Sequence, residues 1–152
     1  MDNEGIKEFI LSRVPEAEIV AGPQFLHATI PSEKIHSFLS DLKSSPSTSF
    51  DYLFCQTGVD WPQHMEVVYH LKSTTLSHLL VVKAKINTRE NPTVDTVCDL
   101  WKTAEFHERE IFDLYGIVFN NHPDLRRLLL TDDWVGYPMR KDYSDPINMI
   151  AY

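Results

Sequence analysis

Basic residues are in short supply in this chain. Lysine and arginine number 14 against 22 aspartates and glutamates in 152 residues, a formal net charge of -8. A nucleic-acid-binding domain needs a cationic face to displace counterions, so free DNA and RNA are poor partners for it. Cysteine is scarcer still, with only Cys55 and Cys98, far apart in sequence. Structural zinc sites take typically four Cys or His ligands, and iron–sulfur clusters typically four thiolates. Neither can be built from these two, which read as small buried hydrophobes in a protein of a reducing compartment. Five glycines, none arranged as GxGxxG or as a P-loop, leave no cradle for a phosphate. The longest strongly apolar run, Leu79-Leu80-Val81-Val82, is far too short to cross a bilayer, so any membrane link must go through a partner. The opening MDNEGIKEF lacks the zones of a secretory signal, so none is expected.

What is present predicts one α+β domain. Ile6, Phe9 and Ile10 at helical spacing predict a helix over 3–13, stopped by Pro15. Extended runs at 18–21 and 24–30 flank Gly22-Pro23, a turn pair, and predict a hairpin. Pro31-Ser32 opens a second helix, with Ser32 as its N-cap and Ile35, Phe38, Leu39 and Leu42 as its apolar stripe. Strands follow at 50–57, 65–71 and 76–86. The last is apolar on both faces at its middle, as suits a central strand. Thr93 is expected to cap a long third helix with Val94, Val97, Cys98, Trp101, Ile111 and Phe112 on its buried side, ended by Gly116 in a left-handed cap. The order α-β-β-α-β-β-β-α predicts a two-layer sandwich, helices against a mixed, mostly antiparallel sheet. From Thr131 the apolar residues are isolated among Gly136, Pro138 and Pro146. Residues 1–120 therefore read as the body and 121–152 as an extended arm for partner binding.

Three places could carry chemistry. His107-Glu108-Arg109-Glu110 resembles part of a zinc-protease helix, but Ile111 stands where the second histidine should be. His107, Glu110 and His122 remain a candidate metal set if the turn at Gly116 folds the chain back, which would make a free-standing metallo-enzyme. The favoured reading is a surface ladder of ion pairs through Glu105, Arg109 and Asp113, spaced by four. His122-Pro123-Asp124 has no nucleophile elbow to serve, and Asp124 is expected to cap a turn over Leu125–Leu130. Arg126, Arg127, Arg140 and Lys141, interleaved with Trp134, Tyr137 and Tyr143, have the composition of a protein interface.

At these residues the chain resembles the C-type subunit of respiratory complex I, the proton-pumping NADH:quinone oxidoreductase. The family pattern E-R-E-x-x-D-x-x-G followed by H-P-D-L-R-R stands here as Glu108-Arg109-Glu110, Asp113 and Gly116, then His122 to Arg127. A W-x-G-x-P-L-R-K-D pattern follows as Trp134, Gly136, Pro138, Met139, Arg140, Lys141 and Asp142, with Met139 in place of the usual leucine. Val59 to Pro62 and Glu66 to Leu71 also look familial, so the resemblance covers about residues 50–143. It implies the same element order and a chain without catalytic residues, metal or cofactor, the iron–sulfur clusters, FMN and quinone lying in partner subunits. It implies a peripheral place at the cytoplasmic face of the inner (plasma) membrane, packed on the D-type subunit, which helps form the quinone pocket, and near the iron–sulfur subunits B and I. The residues it marks for partner binding are Glu108, Arg109, Glu110, Asp113, His122, Arg126, Arg127, Trp134, Tyr137, Arg140 and Lys141. Of these, the acid-rich helix residues either meet the partner or orient the root of the arm. The electron donor is left open: NADH is the family default, and ferredoxin- or hydrogenase-linked complexes carry related subunits. Ser144-Asp145 before Pro146 departs from the family pattern.

Overall fold

The computed structural model describes residues 2–147 and 149; residues 1, 148 and 150–152, including the end of the expected arm, lie outside it. Helix α1 spans Asn3–Arg13, opened by the Asp2 carboxylate, which accepts from the Gly5 amide at 2.9 Å. It buries Ile6 and Ile10. Strands β1 (Glu18–Ala21) and β2 (Leu26–Pro31) form the expected hairpin. Its turn favours glycine, because a Cβ on Gly22 would lie 2.9 Å from the Phe25 carbonyl oxygen. Ser32–Lys34 makes a single 3-10 turn before helix α2, Ile35–Ser44, which buries Ile35, Phe38, Leu39 and Leu42. The Ser32 side chain caps neither element, in contrast to the expectation: Pro31 and Lys34 precede the two helical pieces.

Strands β3 (Tyr52–Asp60), β4 (Met65–Lys72) and β5 (Leu79–Ile86) complete a five-stranded sheet in the order β1-β2-β5-β4-β3. The β2–β5 pairing is parallel and the others antiparallel. The doubly apolar β5 is thus central, with two hydrogen-bonded neighbours. Side chains alternate across the strands. Leu26, Ala28, Ile30, Met65, Val67, Tyr69, Leu71, Leu80, Val82, Ala84 and Ile86 face the core together with the apolar sides of all three helices.

The third helix departs from the pattern read in the sequence. Thr93–Asp95 is a short strand, β6, paired in parallel with β7 (Val118–Asn120). Helix α3 begins only at Ala104 and runs to Tyr115. Val94, Val97 and Trp101 are buried as expected, but on a strand and turns that cross the core. A three- and four-residue apolar spacing over so short a stretch does not distinguish the two arrangements. Gly116 ends α3 at φ 71°, as expected. It is doubly required, since a Cβ there would also lie 2.5 Å from the Tyr137 ring.

Candidate functional site: an arm pinned by two carboxylates

Helix α3 turns unusual residues inward. Glu108, Arg109 and Asp113 are all buried, so the expected surface ladder is not formed. Arg109 donates from Nε to the Arg126 carbonyl (3.2 Å) and from Nη2 to that of Arg127 (3.1 Å), with its guanidinium over the Phe106 ring. Asp113 accepts from Nη1 of Arg127 at 2.8 Å and from the amides of Leu128, Leu129 and Leu130 at 3.0, 2.6 and 2.9 Å. The charges that an exposed helix would spend on its neighbours along the ridge are spent on the returning chain. For that reason residues 125–130 form no helical turn: Asp113 and Arg109 hold their amides and carbonyls, and Asp124 pairs with Arg126.

Arg127 continues the attachment. Its Nη2 donates to the carbonyls of Trp134 and Gly136, each at 3.0 Å. Tyr137 lies between two guanidiniums, Arg127 at 5.2 Å and Arg140 at 5.3 Å from its ring centre, and meets Phe112 edge-on. Such cation–π contacts contribute about 0.5–2 kcal/mol each. The Met139 amide donates to Leu114, and Arg140 donates to the carbonyls of Tyr115 and Arg89. A second carboxylate fixes the far end. Asp60, at the end of β3, takes a bidentate pair from Arg89 (2.9 and 2.8 Å) and the Lys141 amide at 2.9 Å. Burial alone would raise both carboxyls. In Asp113 the Arg127 guanidinium and three amides, and in Asp60 the Arg89 guanidinium and the Lys141 amide, outweigh it and hold them below the usual value.

Glu108 anchors a third feature, a polar seam beneath α3. Its carboxyl accepts from the Thr96 hydroxyl, from the Val97 amide at 2.9 Å, from the Cys98 thiol at 3.3 Å and from Gln56 at 3.4 Å. Burial raises its pKa, and these donors offset part of that cost. Burial, aided by the neighbouring carboxyl, pushes the Cys98 thiol up to about 12, so this thiol is inert at neutral pH. The turn at Gly116 does bring His122 back to α3, but not to Glu110. Its Nε2 faces the Glu105 carbonyl at 3.0 Å and lies 3.9 Å from Glu108. The candidate trio of His107, Glu110 and His122 is therefore not assembled. Among the described residues Cys98, Glu108 and His122 come within 4.8 Å of one another. Each already serves a hydrogen bond, since the His122 Nε2–H that faces Glu108 donates to the Glu105 carbonyl and the thiol donates to Glu108. A cation would have to displace these bonds. Glu108→Ala is expected to cost about 3 kcal/mol, from stranded donors and a small cavity. Glu108→Gln, which keeps the shape, should fall between it and the wild type in a urea melt. Equal midpoints for all three proteins would show that the seam contributes nothing.

Of the residues expected to meet a partner, Glu110, Arg126 and Lys141 are exposed. The side chains of Glu108, Asp113 and His122 are buried, and Arg109 nearly so. Arg109, Asp113 and His122 are spent on the root of the arm, and Glu108 on the seam beneath α3. Arg127, Trp134, Tyr137 and Arg140 are half-buried with their polar groups turned largely inward. Outward the arm shows four apolar side chains, Leu129, Val135, Met139 and Ile147, which are 63, 87, 53 and 89% exposed, among exposed charges that include Arg126, Asp132, Asp133, Lys141 and Asp142. Asp60 and Arg89 escaped notice in the sequence. Asp60 stands in the familial Val59–Pro62 stretch, and Arg89 carries no local signal.

Residues 28–146, which take in both pinning carboxylates and almost all of the described arm, match the family described as respiratory-chain NADH dehydrogenase, 30 Kd subunit. The chain belongs to that family. It is 44% identical over 141 residues to the C-type subunit of NADH-quinone oxidoreductase from Geotalea uraniireducens, covering 91% of this chain and 76% of that one. It is 48% identical over 120 residues to the C/D-type subunit of NADH-quinone oxidoreductase from Phocaeicola vulgatus, covering 78% of this chain. The match spans only 23% of that longer relative and 20% of the Bacteroides thetaiotaomicron protein of the same name. The C-type subunit of F(420)H(2) dehydrogenase from Methanosarcina mazei is 38% identical, covering 99% of this chain and 98% of the other. In three dimensions the chain matches one from the membrane-bound sulfane sulfur reductase, an archaeal respiratory membrane complex. The TM-score is 0.74 at 31% identity, with 93% of this chain and 85% of the other covered. Relatives in this family are thus subunits of complexes with different names for their reactions, one of them a respiratory membrane complex. Among the described residues no helix is long and apolar enough to cross a membrane.

Proposed function

We propose that this chain is a non-catalytic structural subunit in the hydrophilic part of a redox-driven, proton-translocating quinone oxidoreductase, and that its arm clamps the D-type subunit that helps form the quinone site. The observation that carries the reading is the pinned arm. Two inward carboxylates hold an otherwise irregular segment so that Leu129, Val135, Met139 and Ile147 stand in water in the isolated chain. A segment stapled this firmly that still exposes four large apolar side chains among charges has the composition of an interface, apolar centre and polar rim. The exposed Arg126, Glu110 and Lys141 would rim that contact, and the half-buried Trp134 and Tyr137 would back it. The iron–sulfur subunits B and I are the further neighbours in this reading. Iron–sulfur clusters, FMN and quinone would belong to the partner chains, a reading supported by there being only two cysteines, far apart in sequence, where a cluster typically takes four thiolates. The complex as a whole would oxidise NADH at the cytoplasmic face of the membrane. The F(420)H(2) and sulfane-sulfur relatives support an alternative donor for the same kind of chain.

The physical role is geometric. Electron and quinone reactions depend on fixed positions, and misplacement by about 1 Å can cost a hundredfold in rate. Mild-detergent extraction of native membranes with this chain tagged, followed by mass spectrometry, tests the reading. The expected result is co-purification with a homologue of the D-type subunit and with iron–sulfur subunits, and the input proteins present name the donor. A lone chain in the soluble fraction would overturn it.

A further inference from the structure

The three helices share one core with one face of the five-stranded sheet, which leaves the opposite face without a helix among the described residues. Register places Cys55, His70, Val81, His27 and Val20 in one row across all five strands of that face. The irregularity between Leu53 and Cys55 brings Phe54 onto the same side, with its ring 5.7 Å from His70. Phe25 meets His70 from the other side at 6.2 Å, and Tyr52 extends the strip beyond Phe54 at 6.1 Å. Burial lowers both imidazoles, so at neutral pH the strip is aromatic and uncharged. Val81 beneath it is already 1% exposed.

The charges around the strip differ in how far they are already engaged. Lys72 lies opposite Tyr52, Lys83 is in the neighbouring row, and Lys85 lies beyond it, directly across from Glu66. Among the described residues none of the three makes an ion pair. The carboxylates nearby are Glu18 at the edge, Glu66, which holds His64 at 3.1 Å, and Asp51, which is bonded to Thr74. In a chain with 22 acidic and 14 basic residues, Lys72 and Lys83, without an ion pair beside an aromatic strip, favour negative charge. They also disfavour a second copy docking face to face, because lysine would meet lysine.

We propose that the helix-free face of the sheet docks an acidic segment of a neighbouring protein subunit, one that places carboxylates around an apolar or aromatic side chain. The site is separate from the arm, though it rests on the reading that the chain works inside an assembly. The aromatic strip supplies the desolvated centre of the contact and the lysines its charged border, the usual division within an interface.

The test compares the native assembly with the isolated chain. Diethyl pyrocarbonate should label His27 and His70 in the isolated chain and lose that labelling in the assembly. A carbodiimide should join Lys72, Lys83 or Lys85 to aspartate or glutamate of another polypeptide, and Lys72→Glu with Lys83→Glu should abolish the links at those positions while the arm still delivers the chain. Equal labelling in both states, or links confined to copies of this chain, would overturn the site and leave the arm reading standing. Protection of both histidines by phosphatidylglycerol vesicles without any protein cross-link would overturn it in favour of a membrane surface. A chain recovered from membranes with no companions would overturn both readings.

Discussion

Replacing Asp113 by alanine is expected to destabilise the protein by about 3 kcal/mol. Removing one member of a buried ion pair costs about 3–5 kcal/mol, because the remaining charge is left uncompensated. The low end applies here, since Arg127 keeps the carbonyls of residues 113, 134 and 136 and the amides of 128–130 can be partly rehydrated. For a chain of this size the change lowers the melting temperature by roughly 6–12 °C. Alanine is the best helix former, so α3 itself should persist. The loss should therefore appear first as hydrogen exchange at the 128–130 amides and as protease cleavage within the arm. An unchanged exchange pattern would mean that the carboxylate does not hold the arm. Acid has the same target. The folded-state pKa of Asp113 lies below its ordinary 3.8, and that of Asp60 is shifted the same way. Their contribution is fully present above the unfolded value and is lost as pH falls through the folded one. Glu108 acts in the opposite sense, since its raised pKa gives a term that weakens as pH rises above the ordinary 4.5. Melting temperature should thus fall steeply below about pH 4, and Asp113→Asn should flatten that fall.

The sheet and its helices were legible because burial imposes simple periods. Alternation over Met65–Leu71 and the doubly apolar Leu79–Val82 run specified β4 and the central β5. Thr93–Asp95 was misread because its pairing with Val118–Asn120 is a non-local event that leaves no trace in local spacing. The site was legible in its residues but not in their direction. Glu105, Arg109 and Asp113 have the spacing of a surface ladder, and no local rule reveals that the chain after Gly116 returns to bury two of them. Once buried, a charged helix residue must find a partner, and the nearest donors and acceptors are the arm's own backbone. The interface composition of the arm was visible, yet Arg127 and Arg140 proved to be internal braces, and several of its isolated apolar residues stand outward beside the exposed Arg126.

That inversion sets the second large effect. Leu129, Val135 and Ile147 are mostly exposed, and substitutions at such positions usually change stability by about 0.5 kcal/mol or less. In an interface core each would contribute about 1.5–3 kcal/mol, and an aspartate there adds an unpaired buried charge. Losing even the smaller figure at three positions weakens association on the order of a thousandfold. The decisive measurement is the fraction of tagged Leu129→Asp/Val135→Asp/Ile147→Asp protein recovered in the large membrane assembly, set beside its melting temperature. The pinned-arm account predicts a near-native melting temperature and a chain left outside the assembly. A triple variant that assembles as the wild type does would contradict it.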